Sequence, residues 1–157
     1  MCKLIDNIPG YSDDELIKLF HNALFGSRQT ERAQAVVYTI GREWKKRGRS
    51  ASSAKSKSWP EHGVLDVLGY NVGFAKGRCE KERRQLLDYV LTGELPFVHS
   101  RAYMADWGRP ASAERVTKLR NCLCAFKDNI KSPKNCQKAM GEWQADIAYL
   151  DSKGGAK

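Results

Sequence analysis

Two apolar seams near the C-terminal end constrain the fold of this chain more than any other feature. Val116, Leu119, Leu123, Phe126 and Ile130 follow at steps of 3, 4, 3 and 4. Cys136, Met140, Trp143, Ile147 and Leu150 follow at steps of 4, 3, 4 and 3. Such spacing returns to one face of a 3.6-residue turn and does not suit a strand, whose faces alternate at every residue. Ser112 offers an N-cap to the first seam, and Ser132-Pro133 separates the two with Pro at a first helical position. Seams joined by so short a loop are expected to pack as an antiparallel pair.

The N-terminal residues carry similar signals. Ser12-Asp13-Asp14-Glu15 has the form of a capping box, after which Leu16, Leu19, Phe20, Ala23 and Leu24 share a face until Gly26. A second helix is predicted from Thr30 to Lys46, with Ala33, Val36, Val37, Ile40 and Trp44 on its apolar side. These two predict a helical hairpin over residues 1–46, a thin core that invites docking or self-association. Further on, Gly69, Gly73 and Gly77 read as a turn-rich connector, Glu80 to Gly93 as a helix, and Ser100 to Gly108 as a short helix holding Tyr103, Met104 and Trp107. No stretch alternates with a two-residue period, so the expected class is all-α.

Charge divides the chain. Net charge is +9, from 27 Lys+Arg against 18 Asp+Glu, and residues 42–57 hold seven basic side chains against Glu43 alone, or +6. From Arg47 to Ser58 the composition is Ser, Ala, Gly, Lys and Arg, with nothing large and apolar to bury. Such a segment cannot offset its chain entropy and reads as a flexible basic linker, closed by Trp59-Pro60. The expected organisation is a hairpin (1–46), a linker (47–60), a helical domain ending in the antiparallel pair (61–151) and a disordered tail (152–157).

Several chemistries are disfavoured. No apolar run approaches the roughly 20 residues of a membrane span, and the start lacks the pattern of a secretory signal. Five cysteines at irregular spacing do not resemble a disulfide framework, which with the missing leader points to the cytoplasm. No Cys-x-x-Cys or spaced His pair occurs, and Cys122 and Cys124 would point apart on a helix, so neither a metal nor a cofactor is expected. The glycine triplet fits neither phosphate-loop pattern. Cys79, beside Arg78 and Lys81, with His99 as base and Asp106 as orienting group, supplies a thiol-enzyme reading that ranks third. The acidic residues otherwise read as solvated partners of their basic neighbours.

Binding is therefore expected ahead of catalysis, with nucleic acid (DNA preferred) as the leading ligand and a regulatory role. Arg42, Lys45, Lys46, Arg47, Arg49, Lys55 and Lys57 are the candidate phosphate contacts on the basic segment. Arg109, Arg115 and Lys118 are secondary candidates, because Arg109-Pro110 through Arg120 has the tight entry and basic face of a recognition helix, with Ser100–Trp107 as its support. The rival class is an adaptor or inhibitor that binds a partner protein through Trp59, Phe97, Tyr103 and Trp107, aromatics gathered near turns.

Leu68-Gly69-Tyr70-x-Val72-Gly73, Glu82-Arg83-Arg84-x-x-Leu87, Gly93-Glu94-Leu95-Pro96 and Tyr103-Met104-x-x-Trp107-Gly108-x-Pro110-x-Ser112-x-x-Arg115-x-x-Lys118-Leu119 span about a third of the chain. This pattern resembles short bacterial helical proteins with no assigned activity. The resemblance implies a bacterial, cytoplasmic protein and carries over no functional residue.

Overall fold

A computed structural model describes residues 3–51, 59, 62–130 and 133–154. The class is all-α: the described residues form eight α-helices and no strand. In chain order these are α1 (Lys3–Asp6), α2 (Asp13–Phe25), α3 (Glu31–Ser50), α4 (Val64–Val67), α5 (Glu80–Thr92), α6 (Arg101–Ala105), α7 (Ala113–Asp128) and α8 (Gln137–Gly154). Short 3-10 turns occupy Ile8–Gly10 and Pro133–Asn135. Among the described residues no helix is long and apolar enough to cross a membrane. The chain forms two compact units, one of residues 1–68 and 93–105, the other of 69–92 and 106–157. These units cut across the sequence-based division, because residues 62–68 and 93–105 belong with the N-terminal helices.

In the first unit the caps act locally. The Ser12 amide donates to the Glu15 carboxylate at 2.8 Å, and the Glu15 amide donates to Ser12 Oγ at 3.3 Å. Thr30 Oγ1 accepts from the Ala33 amide at 3.1 Å, starting α3. Leu16, Phe20 and Ala23 of α2 and Val36, Ile40 and Trp44 of α3 are buried, with the Phe20 and Trp44 rings tilted at a centroid distance of 5.2 Å. Two later segments join this core. His21 Nε2 donates to the Leu68 carbonyl at 2.8 Å, and the Val64 amide donates to the Tyr103 hydroxyl at 3.1 Å.

One correction concerns the basic segment. Helix α3 continues to Ser50, four residues past the expected end at Lys46, so Arg47 and Arg49 lie on a helix and not in a linker. Tertiary contacts hold that extra turn. Arg47 donates to Asp13 at 2.7 Å, to Glu43 at 2.9 Å and to the Tyr11 carbonyl at 2.7 Å. Arg101 of α6 donates to the carbonyls of Arg49 at 3.3 Å and Ala51 at 2.5 Å, satisfying groups that a helix end leaves open.

In the second unit α7 and α8 pack against each other and against α5. Phe126 meets Trp143 and Arg120 meets Asp151, so numbering rises along α7 as it falls along the facing side of α8. Burial is confined to one end of this pair. Leu119, Leu123, Ile147 and Leu150 are buried with Val116 half-buried beside them, whereas towards the other end Phe126 is 40% exposed and Ile130, Met140 and Trp143 are half-buried. α5 meets the buried end, where Asp88 accepts from the Tyr149 hydroxyl at 2.9 Å. Two boundaries differ from expectation. Helix α8 begins only at Gln137, after a 3-10 turn, and it runs to Gly154, so Ser152 and Lys153 are helical and not a frayed tail. Lys153 is held there by Asp88 at 2.5 Å.

A buried polar cluster ties this unit together. Arg83 is 3% exposed and donates through Nε to Asp146 at 2.7 Å; Asp146 is wholly buried and also accepts from the Tyr70 hydroxyl at 2.6 Å. Glu142 adds a second carboxylate, 3.2 Å from Arg83 Nη1, and accepts from the Gly73 amide at 2.6 Å. Burial, and then the bond to Asp146, push the Tyr70 phenol far above its ordinary pKa. Burial works against the Arg83 charge, but its bond and attraction to Asp146 outweigh that and raise its pKa. Asp146 is thus no solvated surface acid, as the acidic residues were expected to be. The glycine triplet serves the same cluster: a side chain at Gly77 would collide with the Gly73 backbone, so the loop folds tightly on itself and presents the Gly73 amide to Glu142.

Candidate nucleic-acid interface

The cationic residues of α3 separate into one that builds the fold and several that face outward. Arg47 is the first kind, enclosed by Asp13, Glu43 and the Tyr11 carbonyl; its burial disfavours the charge, yet the bonds to Glu43 and Asp13 raise its pKa. It is a structural residue rather than a phosphate contact. Arg42, Lys45, Lys46 and Arg49 are exposed. Lys45 reaches Glu94 at 2.5 Å, a half-exposed pair worth at most about 1 kcal/mol and readily exchanged for another anion. Arg42, Lys46 and Arg49 make no side-chain ion pair among the described residues. Lys55 and Lys57 lie outside the described residues.

An unanticipated residue joins this set. Tyr38 is 68% exposed, large for an aromatic on a helix whose other face is core. Positions 38, 42, 45 and 49 follow at steps of 4, 3 and 4, which places them on one stripe about 60° wide. The apolar face of α3 (Val36, Ile40, Trp44) points elsewhere. The signal was present in the sequence, since Tyr38 falls off that face and stands one turn before Arg42.

Two hollows flank the stripe, both within the first unit. On one side a cleft of about 640 Å³ runs between the segment Ile5–Pro9 and α3, lined by Arg42, Lys46 and Arg49 with Asp6 and Glu43 as its acids. Glu43 is already taken by Arg47, so the cleft wall is net cationic. On the other side a slot of about 370 Å³ opens between α3 and the segment from Leu95 to Ala105. Lys45 and Arg49 border both hollows.

The other anticipated residues do not form a second cationic surface. Arg115 is 3% exposed, and its guanidinium donates to the carbonyls of Trp107 at 2.8 Å, Val90 at 2.8 Å and Gly108 at 2.9 Å. It holds a turn against α7 and cannot meet a phosphate, which corrects the recognition-helix expectation. The expected supporting helix also differs: α6 ends at Ala105 and Trp107 lies outside it. Lys118 stands 3.6 Å from Asp106, and Arg109 is exposed. Among the proposed interface aromatics, Trp107 is 1% exposed and belongs to the core, so its ring has no surface to offer a partner. Trp59 and Tyr103 are half-buried, and Phe97 lines the slot. Of the thiol-enzyme set, Cys79 is exposed, Asp106 faces Lys118, and the His99 ring lies against Tyr103 at 5.5 Å. No group of three or more metal-ligating side chains occurs among the described residues.

Comparison with protein-family models, with curated proteins and with solved structures finds no match.

Proposed function

We propose that the protein binds nucleic acid along α3, with DNA the preferred ligand and regulation the role. The observation that carries this reading is the stripe of Tyr38, Arg42, Lys45 and Arg49, with Lys46 beside it, an exposed aromatic set among cations on one helix face. Cations at that density neutralise phosphates and release counterions, while an exposed ring offers a stacking surface. From Arg42 to Arg49 the helix advances about 10 Å, a length over which one strand of a B-form duplex presents about three phosphates. Three contacts give a salt slope near −2.7 on a duplex, from about 0.9 per phosphate, and near −2.1 on a single strand, from about 0.7.

The test is fluorescence anisotropy with a labelled 20-base DNA across a salt series, comparing the wild type with Arg42→Ala/Lys46→Ala/Arg49→Ala. Arg47 is left in place because it supports the fold. The triple variant is expected to lose binding and the salt slope with it. Equal affinity for the two proteins, or an affinity indifferent to salt, overturns the proposal.

A further inference from the structure

The apolar slot on the far side of the stripe has a construction that phosphate binding alone does not use. Leu95, Phe97 and Met104 line it with the edge of Trp44, and Gly48 of α3 leaves its wall open. A Cβ at Gly48 would stand 3.7 Å from Phe97 Cβ, so the missing side chain is what preserves the hollow there. Its rim is cationic, formed by Lys45, Arg49 and Arg101. Arg101 is a fixed cation: its guanidinium is pinned by the carbonyls of Arg49 and Ala51, and it meets no carboxylate among the described residues. Donors already held in place bind an anion without the ordering cost of a free side chain.

Apolar walls bordered by cations shared with a phosphate-binding stripe match a nucleotide whose base has left its stack. The ring enters the slot and its phosphates stay on the rim. The hollow, about 370 Å³ and open to solvent along one side, is wide enough to receive one face of a base. A duplex cannot use such a slot without unpairing, which costs energy that a single strand does not spend. We propose, resting on the nucleic-acid reading above, that the physiological ligand is single-stranded and that the slot beside Gly48 and Phe97 seats one of its bases. The partner is thereby defined by chemistry: a strand with free bases, held by its phosphates along α3.

The experiment measures binding of the full chain to three labelled probes at one salt concentration: a dT 20-mer, the same-length strand made of abasic spacers, and a 20-base-pair duplex. The wild type is expected to bind the dT strand about tenfold more tightly than the abasic strand, the range that stacking of one base supplies. Gly48→Leu fills the slot with a residue that also favours the helix. It should lower that preference by the share the slot supplies, leaving at most what stacking on Tyr38 adds, while affinity for the abasic strand stays unchanged. Phe97→Ala provides a second route to the same loss, and Tyr38→Ala is expected to leave the Gly48-dependent part of the preference intact. Equal wild-type binding to the dT and abasic strands, or a preference that Gly48→Leu leaves undiminished, overturns the base-seating proposal while leaving phosphate binding standing. Absence of binding to all three probes overturns the nucleic-acid reading itself and this proposal with it.

Discussion

Removing the carboxylate of Asp146 tests the energetics of the second unit most directly. The side chain is wholly buried and satisfies two groups at once, the Arg83 guanidinium at 2.7 Å and the Tyr70 hydroxyl at 2.6 Å. Breaking a buried ion pair from one side costs about 3–5 kcal/mol, because the remaining charge stays desolvated. Glu142 keeps part of the compensation for Arg83, which favours the low end of that range, while the Tyr70 hydroxyl left without its acceptor adds about 1–3 kcal/mol. The expected loss for Asp146→Ala is therefore about 4 kcal/mol, a large share of the roughly 5–15 kcal/mol that holds a domain folded. With a urea dependence of about 2 kcal/mol per molar, the unfolding midpoint should fall by about 2 M, read by circular dichroism at 25 °C. The companion variant Tyr70→Phe/Arg83→Met/Asp146→Leu removes all three polar groups together. It should return to within about 2 kcal/mol of the wild type, since an apolar replacement spares the desolvation cost. A loss below about 1 kcal/mol for Asp146→Ala, or a triple variant less stable than the single one, refutes the reasoning.

Two further outcomes follow from local geometry. Gly108 has φ +66° and a Cβ there would lie 2.9 Å from both Glu114 Cβ and Ser112 Oγ, so Gly108→Ala should cost about 2–3 kcal/mol and lower the melting temperature by about 5–10 °C; an unchanged melt sinks the claim. The Glu15 carboxyl is held below its ordinary range by the Ser12 amide first and the Ser12 hydroxyl second. Its folded pKa lies below its unfolded value, so its contribution is present above the unfolded pKa of about 4.3 and disappears as pH falls through the folded one. Glu15→Gln should flatten the decline of thermal stability with pH below about 4, and a decline as steep as the wild type's counts against it.

What could be read from the chain depended on how far each residue's partner lies along it. Ser12, Thr30 and Ser112 cap the helices that follow because each bonds three residues ahead, within reach of any local pattern. The end of α3 was hidden for the opposite reason. A run of Arg, Gly and Ser looks like linker, yet Arg47 is held by Asp13 and the last carbonyls by Arg101, partners 34 and 50 or more positions away. Cations mislead in the same manner: Arg115 reads as part of an exposed basic face and Arg83 carries no local sign of burial, and only the packed structure sets them against three carbonyls and Asp146. At the candidate site the exposed cations Arg42, Lys45, Lys46 and Arg49 were legible from charge density alone. Tyr38 was legible only by its exclusion from the apolar face, and the slot beside Gly48 was not, since its two walls lie nearly fifty residues apart.

The path of the chain through the first unit also sets an order of events during synthesis. Helices α2 and α3 are complete once Ser50 has been made, but residues 93–105, which include Leu95, Phe97 and Arg101, belong to the same unit. At about 5–20 residues per second, translation from Ser50 to Ala105 lasts about 3–11 s. Through that interval the emerging N-terminal half lacks one wall of its compact unit and the clamp on the end of α3. The interval is long beside the microseconds in which a helix forms, so a nascent chain waits without the segment that faces Trp44 across the slot, and this is the stage at which a holding chaperone has most to offer.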